Sequence, residues 1–374
     1  PAWAVPDYPS AEEVAAAKKK VAAKQAMISR LEKIILALSA EADALATTAQ
    51  LKAEIYNQAK NAVDAVASKV KTLQGQVDAA TAEANQAQQQ LGQLAAQMYR
   101  NGAAGTSLNL FLNSDKADDL LYQLGASEKV AQQSDQLYKK SIAKQQYAQS
   151  LADELAVAKE ELATKAAAAQ SAFDEAQSAS NAMQAKVNEN KALNRTFYSQ
   201  LASLKNTSAE LERQRAEGLL NEQAQANGTA DTTAPELYTV GDADPDKVEK
   251  MIAFAKAQLG EPYVLGGMGP NVWDCSGITK AAYAAAGIYI GTHSATNQFR
   301  TLAAAKKLIP LNQLQPGDLM WYTKEPGNFD GDKYHVVINL GNGMMLEAPQ
   351  AGRPVRIVAI RWGEMFKYAG RPSA

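Results

Sequence analysis

The sequence has little cysteine and little histidine, and it lacks proline over a long stretch. Cys275 is the only cysteine in 374 residues, and His293 and His335 are the only histidines. A single cysteine excludes an intramolecular disulfide and a cysteine-rich zinc site. The thirteen prolines all lie before Ser10 or after Ala234. Because proline costs about 3 kcal/mol inside a helix, this gap predicts extended helices.

Two further absences narrow the class of protein. No run of eighteen apolar residues occurs, so the sequence predicts no membrane span. The net charge of -2 gives no reason to expect nucleic acid as a partner. The chain begins Pro1-Ala2-Trp3 without a methionine. That beginning fits removal of a secretion signal, although an arbitrary starting point would look the same.

An apolar heptad repeat indicates which kind of helix fills the proline-free stretch. Steps of seven residues from Val14 to Met98 meet no charged residue, and the companion positions three residues later are mostly apolar, although Lys24 and Lys52 interrupt them. A heptad pattern sustained over this length is typical of a coiled coil. At 1.5 Å per residue, a helix from about Ala11 to Tyr99 would be roughly 130 Å long.

A break at 101–105 separates this helix from a second long helix, predicted from about Ser127 to Glu217. Two long helices joined by a compact break predict an antiparallel hairpin with a small helical lobe at 101–126. Apolar residues of this lobe either cap the coil or form a docking patch; they are Leu108, Phe111, Leu121 and Leu124. The predicted domains are therefore a tail at 1–10, a coiled-coil hairpin at 11–220, a polar linker at 221–245 and a second domain at 246–374.

The second domain contains a candidate nucleophile. Cys275 stands in Asp274-Cys275-Ser276-Gly277, directly before an alanine-rich helical run. A helix N-terminus and a nearby imidazole both favour the thiolate, which is the reactive form. His335 begins an apolar run that predicts a strand, so the base would sit on a rigid element. The alternative for Cys275 is a buried small hydrophobic residue, and His293 is expected at a helix N-cap on a pocket rim.

Glu347 is the candidate for a third catalytic group. Asn342-Gly343 between two apolar runs predicts a tight hairpin whose strands are antiparallel neighbours. This register places Glu347 near His335 or Val337. A carboxylate there would orient the imidazole ring and stabilise its protonated form. The alternative is a solvated strand carboxylate.

Five motifs in this order and spacing make the region 246–374 similar to the NlpC/p60 cell-wall peptidases. The motifs are 263–267 (YVLGG), 274–277 (DCSG), 317–319 (GDL), 335–338 (HVVI) and 341–343 (GNG). The resemblance implies a papain-like α+β domain, preceded here by a long antiparallel coiled coil. It also implies Cys275 as nucleophile, His335 as base and Glu347 as the third polar residue.

The resemblance implies roles for further residues as well. Tyr263 would lie beside the thiol and contribute to an oxyanion hole that is otherwise built from the backbone N–H of Cys275. Asp274 and Ser294 would contact substrate, and Ser276 belongs to the same substrate-binding or oxyanion group. The segment 323–334 is longer than usual for the family, so it either shapes substrate access or is a passive surface loop.

The implied function is hydrolysis of an amide in the peptidoglycan stem peptide, between D-glutamate and meso-diaminopimelate, through a thioester on Cys275. No metal or organic cofactor is implied. Two alternatives stay open: an N-acetylmuramoyl-L-alanine amidase of the related CHAP type, and a non-enzymatic coiled-coil scaffold with a degenerate peptidase domain. Both enzyme readings imply a secreted protein that acts at the cell wall, outside the cell or in the periplasm.

A long coil before such a domain resembles the division hydrolases of the RipC and PcsB kind. In those proteins the coil tip is thought to meet the extracellular part of the membrane complex FtsEX, so the lobe at 101–126 is where an FtsX contact would map. The coil is also expected to hold the enzyme inactive by covering its cleft. A homodimer in which one chain's coil covers its partner's cleft would do the same.

Overall fold

The computed structural model describes residues 9–19, 21–100, 117–226 and 228–374. The chain divides into two compact units, one made of Pro1–Asn61 with Ala168–Ala374 and the other of Ala62–Ala167. The first unit contains the ends of the two long helices together with the whole C-terminal domain. The second contains the remaining parts of the two long helices.

In the described residues before the C-terminal domain there are four helices: α1 (Ala11–Ala17), α2 (Val21–Arg100), α3 (Ala117–Lys205) and α4 (Ala209–Ala226). Within the first unit, Leu31, Ile35 and Leu38 of α2 pack against residues of α3, namely Phe197, Leu201 and Leu204. Within the second unit, Leu73 and Ala80 of α2 pack against residues of α3, namely Leu151, Leu155 and Ala158. Residue numbers increase along α2 where they decrease along the facing α3, so the two helices run antiparallel. The predicted antiparallel coil is confirmed.

The helix bounds differ from the predicted ones in two places. The first predicted helix is divided, because α1 ends at Ala17 and α2 begins at Val21. The second begins earlier than predicted, at Ala117, and ends at Lys205 because Asn206 adopts a left-handed conformation (φ 57°). Ser208 then accepts a hydrogen bond from the N–H of Leu211 at 3.1 Å, which starts α4.

The lobe predicted at 101–126 lies mostly outside the described residues, since the description resumes at Ala117. The segment predicted as a linker is helical as far as Ala226, and beyond it Ala234 and Tyr238 pack into the core of the C-terminal domain. It is therefore not a free tether over its whole length. The limits of the domains remain predictions.

One helix, over 22–100, has a stretch that is long and apolar enough by composition to cross a membrane. A third of that stretch (33%) is buried inside the structure. The packed helix of a folded protein passes the same test, so the finding does not by itself indicate a span.

The C-terminal domain consists of three α-helices, a short 3-10 helix (Leu311–Gln313) and an antiparallel sheet. The helices are α5 (Pro245–Ala257), α6 (Cys275–Ala285) and α7 (Ala295–Ala304). The strands are β1 (Leu308–Pro310), β2 (Leu319–Tyr322), β3 (His335–Gly341), β4 (Met344–Glu347), β5 (Arg356–Ala359) and β6 (Tyr368–Gly370). Their order in the sheet is β1-β6-β2-β3-β4-β5. This is the α+β domain that the sequence predicts.

The core of this domain places α6 against β3. Buried apolar side chains of α6, including Ile278, Ala282 and Tyr283, pack with Val336 and Ile338 of β3. Because side chains alternate along a strand, the residues of β3 that face α6 are fixed by this packing. The packing thus sets the position of the first turn of α6 relative to the start of β3.

The long segment 323–334 is folded back on itself around Lys333. The ammonium group of Lys333 donates to the backbone carbonyls of Asn328, Phe329 and Gly331, and it lies 4.5 Å and 4.2 Å from the ring centroids of Phe299 and Phe366. Carbonyl dipoles and aromatic faces both stabilise a cation. A role of this segment in substrate access remains a prediction.

Candidate active site

Cys275 is the first residue of α6 and is 7% exposed. Asp274 is the N-cap and accepts a hydrogen bond from the N–H of Gly277 at 2.7 Å, so the helix start is firmly held. Burial raises the pKa of the Cys275 thiol well above its usual value, and the negative charges of Asp274 and Glu54 raise it further. The N–H groups of Val336 and Ser276 act in the opposite direction. The thiol is therefore held protonated in this arrangement, in contrast to the expected activation.

His335 and Glu347 are brought together by the predicted hairpin. Strands β3 and β4 are antiparallel neighbours in which Ile338 pairs with Leu346, and both Asn342 and Gly343 adopt the left-handed conformation of a tight turn. His335 Nε2 lies 3.0 Å from Glu347 Oε2. With the proton on Nε2, Nδ1 carries the lone pair. His335 Nδ1 is buried and has no hydrogen-bond partner among the described residues, so it is the nitrogen available as a base.

Two arginines hold Glu347 from its other side. Arg356 donates to Oε1 at 3.0 Å and 2.7 Å, and Arg361 donates to Oε1 at 2.9 Å and Oε2 at 2.7 Å. Burial alone would raise the pKa of Glu347, but Arg361, His335 and Arg356 hold it well below its usual value. Burial also lowers the pKa of His335, although Glu347 opposes the effect. Glu347 is thus a buried anion, not a solvated strand residue.

Asp274 and Ser276 form a hydrogen-bonded pair on either side of Cys275 in the chain. Both are buried, and the Ser276 hydroxyl donates to Asp274 Oδ1 at 3.2 Å. His293 Nε2 lies 2.7 Å from the same oxygen, which positions the Asp274 carboxylate. His293 lies one residue before the N-cap Ser294 of α7, and its side chain is 12% exposed; the rim position stays a prediction.

Tyr263 and Ser294 lie on the two segments that flank the start of α6. A backbone bridge joins Tyr263 to Trp273, two residues before Cys275. Burial raises the pKa of the Tyr263 hydroxyl, and the charges of Asp274, Cys275 and Glu54 raise it further. The hydroxyl therefore stays protonated and is able to donate. Ser294 caps α7 by accepting from the N–H of Asn297 at 3.0 Å.

A stripe of polar residues on α2 covers this site, and all of it lies in the same compact unit. We call it the polar face of α2; its members are Gln50, Glu54, Asn57, Gln58 and Asn61. Glu54 and Asn57 are each 4% exposed. Asn61 donates to the carbonyl of His293 at 3.2 Å and Gln58 to the hydroxyl of Thr296 at 3.3 Å, while Gln50 donates to the carbonyl of Pro349.

The polar face of α2 and the arginine pair were not predicted from the sequence. Glu54 and Asn57 lie away from the heptad positions Ala49 and Tyr56, so they have the pattern of a solvated helix face. A signal existed in the run of uncharged amides, since a solvated coil face of this composition would carry more Lys and Glu. Arg356 and Arg361 follow β4 in a region for which no strand pairing was predicted.

Comparison with known proteins gives a consistent family for the C-terminal domain. Residues 260–369 match the NlpC/P60 family. The probable endopeptidase p60 of Listeria grayi is 34% identical over 122 residues, which is 32% of this chain and 22% of that protein. The gamma-D-glutamyl-L-lysine dipeptidyl-peptidase of Bacillus cereus is 32% identical over 123 residues, which is 33% of this chain and 35% of that protein.

A similar solved structure is that of the peptidoglycan hydrolase RipB of Mycobacterium tuberculosis, with 29% identity and a TM-score of 0.30 over 34% of this chain and 66% of that one. The chain spans only about a fifth to a third of the curated relatives. Residues 260–369 are thus an NlpC/P60 domain, of the cell-wall peptidase family.

Proposed function

We propose that the chain is a secreted peptidoglycan endopeptidase that cleaves the stem peptide between D-glutamate and meso-diaminopimelate. The observation that carries the proposal is the buried His335–Glu347 pair at 3.0 Å, in which His335 begins the strand that packs against the helix begun by Cys275. The name of the Bacillus cereus relative, gamma-D-glutamyl-L-lysine dipeptidyl-peptidase, supports a bond that follows D-glutamate; in that name L-lysine stands where the proposed substrate has meso-diaminopimelate.

In the proposed mechanism His335 Nδ1 takes the thiol proton, and the sulfur of Cys275 attacks the carbonyl carbon of the stem peptide. The oxyanion of the tetrahedral intermediate accepts from the N–H of Cys275 and the hydroxyl of Tyr263. The intermediate collapses to a thioester while the imidazolium gives its proton to the leaving amine. Water, deprotonated by His335, then hydrolyses the thioester and restores the thiol.

Glu347 would contribute by fixing the ring and stabilising the imidazolium. Its hydrogen bond keeps the proton of neutral His335 on Nε2, which leaves Nδ1 free to act as base. A carboxylate that stays ionised beside the ring lowers the free energy of the protonated imidazole. The arginine pair keeps Glu347 ionised even though it is buried.

Digestion of purified muropeptides followed by mass analysis tests the reaction. An endopeptidase splits the stem after D-glutamate, whereas an amidase of the CHAP type frees the whole stem from the sugar. The Cys275→Ala variant is the control for contaminating hydrolases. If neither wild type nor variants that expose the thiol cleave muropeptide, the scaffold alternative is favoured. A thiol-reactive probe on Cys275 would show whether the nucleophile is competent.

We further propose that the coil inhibits the enzyme, because the polar face of α2 contacts the residues on both sides of Cys275. A fragment beginning at residue 228 keeps Ala234 and Tyr238, which pack into the domain core. If this fragment is as folded as the full chain by circular dichroism, its kcat/KM should be about tenfold higher, as expected for a weak contact strengthened by tethering. Equal rates would refute inhibition by the coil. Sedimentation of the full chain would show whether the contact forms within a chain or in a homodimer.

We also propose that the lobe at 101–126 docks to the extracellular part of FtsX and relieves this inhibition during cell division. The support is the resemblance to division hydrolases with a long coil. Replacing Leu108, Phe111 and Leu121 with serine should abolish binding to the FtsX ectodomain, while Tyr138→Ser, on the exposed surface of α3, should not. Unchanged binding after the triple replacement would count against the proposal.

A further inference from the structure

Glu54 of α2 is surrounded by hydrogen-bond donors at the N-terminus of α7. Its carboxylate accepts from the N–H of Ala295 at 2.9 Å, from the N–H of Thr296 at 3.1 Å and from the hydroxyl of Ser294. Gln58 donates to it as well, at 3.1 Å. All four neighbours donate, and the three that lie at the start of α7 form a pocket with the character of a receptor for a carboxylate.

Asn57, one helical turn further along α2, meets the opposite kind of partner. Its amide donates to Asp274 Oδ2 at 3.3 Å and to Ser276 Oγ at 3.4 Å. Asp274 is ionisable and buried, with 1% exposure, so this position favours a donor or a cation. One helix face therefore presents an acceptor and a donor to two different polar positions.

These two positions lie close to the candidate nucleophile. Asp274 and Ser276 are the chain neighbours of Cys275, and His293, which directly precedes Ser294 at the start of α7, lies 2.7 Å from Asp274. The charge of Glu54 also raises the pKa of the Cys275 thiol. A peptidase holds its substrate by polar contacts close to the bond it breaks. A peptide with a free carboxylate and a donor group near the reacting carbonyl would use the same contacts that α2 now uses.

We propose that Glu54 and Asn57 form a built-in substrate mimic that occupies the carboxylate and donor positions of the substrate cleft. The inference rests on the proposed peptidase function and specifies how the coil would inhibit it. The proposed substrate supplies the matching group, because a γ-linked D-glutamate keeps its α-carboxylate free. Substrate and helix then compete for the donors of α7, and inhibition is competitive even though the inhibitor is part of the chain.

Competition distinguishes a mimic from a contact that only supports the fold. An intramolecular competitor raises the apparent KM and leaves kcat unchanged, since saturating substrate displaces it. A distorted or misplaced catalytic group lowers kcat instead. The split between the two constants is therefore the readout that a structural role would not produce.

The test uses the full-length chain with Glu54→Gln and Asn57→Ala. Glutamine has the shape of glutamate but turns an N–H₂ group toward a pocket made of donors. Loss of hydrogen bonds to a charged group shifts an equilibrium by about tenfold or more, so Glu54→Gln should lower KM on soluble muropeptide by that factor with kcat unchanged. Asp43→Asn is the matched control: it removes one carboxylate from the same helix, at a side chain that is 59% exposed and lies 3.5 Å from Arg353. It should behave as wild type.

Alkylation of Cys275 by iodoacetamide gives a second readout that does not depend on hydrolysis. Both variants should be alkylated faster than wild type and than Asp43→Asn. Wild-type KM and wild-type alkylation in Glu54→Gln and Asn57→Ala would overturn the mimic, and so would a change confined to kcat. If no variant cleaves muropeptide, the proposed function fails, and the alkylation rates alone decide whether Glu54 and Asn57 shield the thiol. Should Glu54→Gln fail to fold, Asn57→Ala carries the test, because alanine is favourable within a helix.

Discussion

Replacing Glu347 with glutamine is the most informative single change in the proposed catalytic group. Five donor contacts reach its two oxygens, from His335, Arg356 and Arg361. An amide has one accepting oxygen, so in either orientation its N–H₂ group faces a donor. The amide oxygen could still accept from the imidazole. The arginine pair makes the change severe.

The magnitude follows from the burial of the network. Removing one partner of a buried ion pair costs about 3–5 kcal/mol. Arg356 and Arg361 are 29% and 31% exposed, so solvent compensates part of their charge. We therefore expect a loss of about 2–3 kcal/mol in the free energy of unfolding, or roughly 5–10 °C in Tm. Loss of ring orientation and of imidazolium stabilisation should lower kcat about 10²–10⁴-fold.

The assay measures kcat on soluble muropeptide and thermal unfolding of the same preparations. Glu249→Gln, at an exposed position of α5, is the matched control and should change neither quantity. A Glu347→Gln enzyme with wild-type kcat and wild-type Tm would refute the assignment of Glu347 as the orienting group. Lower stability with unchanged kcat would leave the carboxylate a structural role only.

Three other expectations can be checked. Cys275→Ala and His335→Ala should each abolish muropeptide cleavage while circular dichroism stays as in wild type, because nucleophile and base act as a unit. The pKa of Glu347 is held below its unfolded value of about 4.3, so its ionised form stabilises the domain above that pH. This stability is lost as the pH falls through the folded pKa. Acid denaturation monitored by fluorescence should therefore be steeper for wild type than for Glu347→Gln. Gly277→Ala should cost about 1–3 kcal/mol or more in urea unfolding, because its Cβ would lie 2.0 Å from a backbone carbonyl oxygen, whereas Gly125→Ala, with open space around it, should be neutral or stabilising.

The coil and the hairpin of the site were predictable because local patterns determine them. A heptad repeat without proline indicates which side of α2 packs against another helix, and the burial of Ile28, Ile35 and Ala42 at heptad positions agrees with it. Asn342-Gly343 determines the turn between β3 and β4. A bulge between Asn339 and Gly341 then sets the register that brings Glu347 to His335. Both predictions use residues that are close in sequence or repeat periodically.

The contacts of Glu54 and the protonated state of Cys275 were not predictable in the same way. Glu54 and Ser294 are 240 residues apart, and no local pattern relates them. A polar helix face has the same composition whether it meets water or a polar cleft. The thiol was expected to be activated by its helix N-terminus, but the charges of Glu54 and Asp274 and the burial of Cys275 outweigh that effect. Long-range burial, not residue type, decides such cases.

The polar face of α2 and the heptad positions of α2 belong to one uninterrupted helix, and this restricts how the sequence can change over time. Each residue inserted into an α-helix rotates everything beyond it by about 100°. A single insertion between Ala42 and Glu54 would therefore turn Glu54 and Asn57 away from Cys275 or Ala42 away from α3. Insertions or deletions of seven residues, about two helical turns, keep the heptad positions and the polar face of α2 in their orientations. In related chains that keep this contact, we expect length differences in this part of the coil to occur in multiples of seven.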